Sequence, residues 1–277
     1  MEAHNDINFD PKKGWERFSK RVEEDQQQQR KQKNWMKYAA AVFIPVMLVS
    51  GLFLYRNAEQ EKEIKETFHH VIASTGEIKE VKLPDGSSVW LNAQSEISYN
   101  FENKTSRNIR LLKGEAYFEV THNAKKPFIV DLKEMRVQVY GTGFNINSYD
   151  KQVRTTLVHG SIGASAAGTK ELKMKPGEQA IYQPHSNSFE LHKVQATNYS
   201  NWRSGTLNFD NTTLREIASI LERQYGYTFV FASSNLADMH FTATMQVGDG
   251  LPKILNFLSK VSGLQFKISN KTIMVNP

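Results

Sequence analysis

One stretch constrains this chain more than any other. From Tyr38 to Tyr55 the sequence YAAAVFIPVMLVSGLFLY runs for 18 residues without a charge. As a helix rising about 1.5 Å per residue it spans about 27 Å, close to the roughly 30 Å hydrocarbon core of a bilayer. Trp35, Tyr38 and Tyr55 stand where interfacial aromatics gather, and Pro45 and Gly51 are tolerated inside a membrane helix. A secretory signal peptide needs a short basic start and a small-residue cleavage site. Here 37 residues precede the run, and LYRNAEQEKE continues it. A single transmembrane helix over 35–56 is expected. Arg30, Lys31, Lys33 and Lys37 precede it with no acid among them, while Glu59, Glu61, Glu63 and Glu66 balance Arg56, Lys62 and Lys65 beyond it. That asymmetry places the N-terminus in the cytoplasm and the larger part of the chain across the membrane.

Residues 1–34 form a cytoplasmic amphipathic segment. Asp10 can cap a helix whose first position suits Pro11, and Trp15, Phe18 and Val22 then share one face. A lone helix has no core in which to bury such a stripe. Two uses remain open: contact with a cytoplasmic protein, or lying on the membrane surface. Residues 57–70 read as a juxtamembrane linker.

From 71 to 195 the pattern changes to short alternating runs. IKEVKL and SSVWLN flank the turn Pro84-Asp85-Gly86, NIRLL and EAYFEV flank Lys113-Gly114, and PFIVDL and RVQVYG flank KEM. Gly177 sits in a further turn, KPGE, and GASAAG at 163–168 reads as a surface loop. Strands this short and this regularly spaced indicate an all-β domain, with sandwich, barrel and solenoid architectures all compatible.

Residues 199–277 read differently. GTLNFDN is a strand, and Thr213 with Glu216 makes a capping box for a helix patterned by Leu214, Ile217, Ala218 and Leu221 and stopped by Gly226. YTFVFA and HFTATMQV are strands, and a second helix runs from Leu251 to its stop at Gly263. A hairpin around Asn270-Lys271 closes a β-α-β-β-α-β-β module with α+β character.

Several chemistries have no carrier. Net charge is +6, but no basic stripe with interleaved aromatics suggests nucleic-acid binding. Cysteine is absent, and the eight histidines lack metal-ligand spacing. There is no G-x-S-x-G elbow. Glu115 and Glu119 alternate with Ala116, Phe118 and Val120, which reads as a solvated strand face. Gly141-Thr142-Gly143 has the start of a phosphate loop, but Ile146 stands where the third glycine belongs and FNINSY alternates as a strand. Gly141 and Gly143 are therefore expected to serve a turn or bulge. No catalytic residue, cofactor or metal is expected, and the chain is not read as an enzyme.

The blocks LPDGSSVWLNAQSEISY, LLKGEAYFEV, PFIV, VYGTGFNINSY and TLVHGSI, followed by MKPGEQA, together resemble the periplasmic domain of FecR-type anti-sigma factors. WRSGTLNFDNTTLREIASILERQYG is similar to the start of the C-terminal domain found in many of them, a module like the secretin/TonB short N-terminal fold. The resemblance implies a single-pass inner-membrane protein whose cytoplasmic segment binds an extracytoplasmic-function sigma factor. Its periplasmic part would sense the signalling domain of a TonB-dependent outer-membrane receptor, with regulated proteases releasing the cytoplasmic piece. It also implies that an edge strand of the 264–276 hairpin pairs with a partner strand. Family members carry a longer cytoplasmic domain of several helices, so here Trp15, Phe18 and Val22 would carry the sigma contact, as inhibitor or as activator. The alternative is a membrane-anchored periplasmic scaffold or glycan-binding β protein with no regulatory partner.

Overall fold

The computed structural model describes residues 12, 15–21, 23, 47, 49–52 and 68–277. The chain divides into two units, 1–65 and 66–277. In the first, residues 15–21 are helical, and the Trp15 and Phe18 rings lie 5.7 Å apart, both well exposed. Val22, Tyr38, Pro45 and Tyr55 lie outside the described residues. Gly51 is in a helical stretch, and a Cβ added there would meet nothing within 4 Å. Among the described residues no helix is long and apolar enough to cross a membrane.

The second unit is mostly β-sheet, with a small C-terminal α+β region. Thirteen strands form its first part: β1 (His69–Ile72), β2 (Lys79–Lys82), β3 (Ser88–Leu91), β4 (Glu96–Asn100), β5 (Arg107–Glu119), β6 (Phe128–Asp131), β7 (Met135–Val139), β8 (Gly143–Ser148), β9 (Val153–His159), β10 (Ile162–Ala166), β11 (Leu172–Met174), β12 (Glu178–Gln183) and β13 (Ser188–Lys193). The order along the sheet is β11-β10-β7-β6-β5-β8-β9-β12-β13, with β3 and β4 also on β5. Strand β5 serves both halves. Its first part pairs with β4 and, in parallel, with β6; its second part pairs with β3 and β8. The two halves meet in one core, where Phe118 stacks on Phe144 at 4.9 Å and meets Phe128 edge-on at 6.2 Å.

Two expectations are corrected here. Lys113-Gly114 is not a hairpin turn, because Arg107–Glu119 is one 13-residue strand. Lys113 faces Glu96 while Leu111 faces Ile97, so Leu112 is the extra residue of a bulge. Gly114 follows it at φ +96, and a Cβ there would lie 2.6 Å from Ser95 Cα. The bend lets one strand cross from one half to the other. Gly114→Ala is expected to cost about 2–3 kcal/mol, since the dihedral is strained and the overlap is with backbone; a denaturant midpoint equal to wild type would refute this. The second correction concerns 163–168. Ile162–Ala166 is a strand paired with β7 and β11, so cross-strand partners override the loop-like composition.

The remaining glycines serve close approach or positive φ. Asp85 accepts from Ser87 N at 3.0 Å, and Gly86 follows at φ +84. Gly177 at φ +82 turns β11 into β12. Gly141 does not need a positive φ, but a Cβ would lie 2.7 Å from His122 Cα. Gly143 opens β8, not a helix, at a register shift against β9, and a Cβ would meet Tyr117 Oη at 2.8 Å.

The α+β region comprises β14 (Thr206–Thr213), α1 (Leu214–Tyr225), β15 (Thr228–Phe231), a single helical turn α2 (Ser234–Ala237), β16 (His240–Gln246), α3 (Leu251–Ser262), β17 (Gln265–Ser269) and β18 (Thr272–Asn276). Thr213 and Glu216 form the capping box of α1, and Gly226 and Gly263 end α1 and α3 in the left-handed conformation. Leu214, Ile217 and Leu221 pack with Ile254, Leu258, Ile273 and Val275 in a separate core. Strands β14 and β16 form one antiparallel pair; β18 lies between β15, parallel, and β17, antiparallel.

Candidate functional site

Strand alternation sets the site. Ala116 and Phe118 point into the β core, so Glu115, Tyr117 and Glu119 point to the opposite face. That face is covered. The segment joining the two cores, with 3₁₀ turns Ala196–Tyr199 and Asn201–Ser204, lies across it, and α1 follows. Glu115 is consequently buried at 9% exposure, a correction to its reading as a solvated acid. Glu119 stays part-exposed and pairs with His159 Nε2 at 2.8 Å.

Glu115 organises a polar hub. Its Oε2 accepts from Asn92 Nδ2 at 2.8 Å and its Oε1 from Asn145 Nδ2 at 2.9 Å. Both amides are thereby oriented with their oxygens outward. Asn145 Oδ1 accepts from Trp202 Nε1 at 3.1 Å, and Asn92 Oδ1 accepts from Gln224 Nε2 on α1 at 3.0 Å. One carboxyl group thus fixes two asparagines, each of which holds one piece of the C-terminal region. Burial pushes the Glu115 carboxyl above the usual range, against the lowering effect of these amide bonds and of Arg223.

Neighbouring contacts reinforce the join. Gly76 N donates to Arg223 O at 3.0 Å, and the Arg223 guanidinium lies 3.9 Å from the Tyr149 ring. Arg203 covers Tyr117 at 3.7 Å and Trp90 at 5.0 Å. Burial and the Glu119 charge raise the Tyr117 phenol to about 12. Beside the hub opens a cleft of about 470 Å³, walled by Tyr149 and Arg154 on one side and by β14 and α1 on the other. Among the described residues no group of three His, Asp or Glu side chains could hold a metal ion. The arrangement can hold two cores in one orientation and accept polar groups in a cleft beside them.

Sequence reasoning passed over Asn92, Asn145, Trp202 and Gln224, and placed Glu115 on a solvated face. One signal was available: the face opposite the core carries Trp90, Tyr117 and Asn145, a composition that fits a covered surface better than a solvated one. Trp15 and Phe18 belong to the first unit, 1–65, where their rings lie 5.7 Å apart.

The comparisons agree on what kind of chain this is. The family profile described as FecR protein matches residues 70–163, and that described as FecR, C-terminal, matches 206–275. No curated protein matches. Two crystal structures of a proposed anti-sigma factor from Parabacteroides distasonis are similar. One, at 2.50 Å, has TM-score 0.68 and 25% identity, covering 76% of this chain and 98% of that one. The other, at 1.65 Å, has TM-score 0.68 and 26% identity, covering 75% and 98%. With a β domain and an α+β module matched in succession, this chain belongs to the FecR family of anti-sigma factors.

Proposed function

We propose that this anti-sigma factor is a single-pass regulator of the inner membrane. Residues 1–34 contact an extracytoplasmic-function sigma factor in the cytoplasm, and 35–56 cross the bilayer. The β domain and the α+β module stand in the periplasm and relay the state of a TonB-dependent receptor's signalling domain. Regulated proteolysis releases the cytoplasmic piece. The observation that carries the reading is the pair of matched domains on a chain that also holds an 18-residue uncharged run. The asymmetry of basic residues around that run supports its direction. The exposed Trp15 and Phe18 pair supports the sigma contact, because large aromatics left in water beside each other suit an anchor.

Co-purification tests it. The full-length membrane protein is expected to retain a sigma factor, and Trp15→Ala with Phe18→Ala to weaken that contact roughly 30-fold, the effect of losing about 2 kcal/mol at an anchor. Retention of no sigma factor in any receptor state would remove the regulatory reading. A periplasmic reporter fused after Pro277 should be active; activity of a cytoplasmic reporter there instead would reverse the orientation.

A further inference from the structure

Among the described residues, four strands of the β domain have a single partner: β1, β2, β11 and β13. Strands β1 and β2 run for 4 residues each and β11 for 3, so they offer another strand little to pair with. Strand β13 is different. It runs for 6 residues, contains no proline, and keeps its register with β12 from Glu178↔Lys193 to Gln183↔Ser188 without a bulge. Only its charges guard this edge, and they are placed so that they select a partner.

One contact sets the bonding pattern. Val194 N donates to Gly177 O at 2.8 Å, in the register that pairs Lys193 with Glu178. Alternation then turns the backbone groups of Ser188, Glu190 and His192 toward β12. The N–H and C=O of Phe189, Leu191 and Lys193 point outward. Side chains alternate as well. Phe189 and Leu191 stand on the core side of the sheet, across from Tyr182 and Ala180, and the Phe189 ring lies 5.1 Å from that of Tyr182. The core ends there, and Leu191 is left 43% exposed. Glu190 and His192 share the other side, with Glu190 Oε2 3.6 Å from His192 Nε2 and both side chains about half-exposed.

A second copy of β13 fits this edge in one register. Two identical antiparallel strands related by a two-fold axis through the sheet place one residue opposite itself. Centring on Glu190, His192 or Lys193 sets like groups face to face. Centring on Phe189 runs the ladder into the turn at Asn187, where φ is +48. Centring on Leu191 sets the two leucines opposite each other, Glu190 opposite the other copy's His192, and Phe189 opposite the other copy's Lys193. In that register Phe189, Leu191 and Lys193 make the backbone bonds. Glu190 and His192 take the non-bonded positions, where Cα atoms approach to about 4.5 Å and side chains are closest. Acid and imidazole then alternate around the axis. Such self-complementarity selects a second copy over an unrelated strand. We infer that two copies of this chain pair through β13, antiparallel and centred on Leu191, so that one sheet continues across both and covers the exposed leucines.

The full-length chain has no cysteine, so one introduced thiol reports one contact. Leu191→Cys places two sulfurs across the axis on Cα atoms about 5.5 Å apart, within disulfide reach. Oxidation with copper–phenanthroline in whole cells expressing that variant is expected to give a band of twice the chain mass as the main product. Lys193→Cys, whose copies stand about 13 Å apart in this register, is expected to give at least about tenfold less. Glu190→Lys added to Leu191→Cys should cut the yield at least about threefold, and adding His192→Glu, which restores opposite charges across the axis, should recover it. Exposed edge positions tolerate such changes, so a missing band reports the contact and not the fold. No dimer from Leu191→Cys, or an equal yield from Lys193→Cys, overturns the proposal. A loss with Glu190→Lys that His192→Glu fails to repair overturns the register. A crosslinked band of another mass means that a different protein lies on β13 and overturns the assignment to a second copy.

Discussion

Asp85→Ala is expected to be among the most damaging single changes in this chain, at about 3–5 kcal/mol. Asp85 belongs to the LPDG turn, yet its larger role is to neutralise Arg107. Arg107 has a side chain only 2% exposed, and its Nη1 meets Asp85 Oδ2 at 2.7 Å. Nε donates to Lys126 O and Nη1 also to Thr121 O, both at 2.9 Å, and the Phe128 ring lies 5.3 Å from the guanidinium. Nothing else of negative charge holds the group among these contacts, and its buried Nη2 lacks a partner among the described residues. Removing the carboxylate leaves a guanidinium that can neither lose its proton nor reach water. It also strands Ser87, whose N–H and hydroxyl both donate to Asp85. Asp85→Asn keeps an acceptor for Ser87 and should cost less. Asp85→Asn combined with Arg107→Met should be milder than Asp85→Ala, because the charge leaves with its partner. Thermal unfolding checks the series: a fall of roughly 6 °C or more is expected for Asp85→Ala. A shift below a degree would show that Arg107 finds another way to be solvated.

The C-terminal α+β region was the most legible part of this fold, for a physical reason. Its signals are local: Thr213 and Glu216 cap a helix through atoms three residues apart, and Gly226 and Gly263 end helices by their own dihedrals. The β domain was legible as strands but not as a topology. Gly114 illustrates the limit. A lysine and a glycine between two apolar runs look alike whether the chain reverses or merely bends, and what decides is Ser95, distant in sequence and packed against the glycine. The hub was hidden for the same reason. Glu115 alternates with core residues as a surface acid does; only Trp202 and Gln224, arriving from far along the chain, turn its face into an interior. Alternation reports which residues share a face, and whether that face is wet depends on what comes to cover it.

The second large effect follows from that cover. Glu115→Ala should cost roughly 2–5 kcal/mol, since it strands the Asn92 and Asn145 donors in a buried site at about 1–3 kcal/mol each. Its consequence is expected at the join between the two cores. Without an acceptor behind them, either asparagine can flip, and each flip presents an NH₂ group to Trp202 Nε1 or Gln224 Nε2, both donors. Hydrogen exchange in 200–226 should therefore accelerate more than exchange in β8 or β9. Glu115→Gln separates geometry from charge: a glutamine satisfies one asparagine and opposes the other, so one tether should loosen and one hold. The pH dependence carries a definite sign. Burial raises the Glu115 carboxyl, so the folded chain takes up this proton at a higher pH than the unfolded chain does. The cost of burying the ionised group is present above the folded pKa. It is relieved as pH falls from there toward the unfolded value, so this site favours folding more on the acid side. The stability of wild type relative to Glu115→Gln should rise as pH is lowered through that interval. A flat difference would mean that the amide bonds from Asn92 and Asn145 cancel the effect of burial, and a difference of opposite slope would mean that they outweigh it and that the hub is built around the ionised carboxylate.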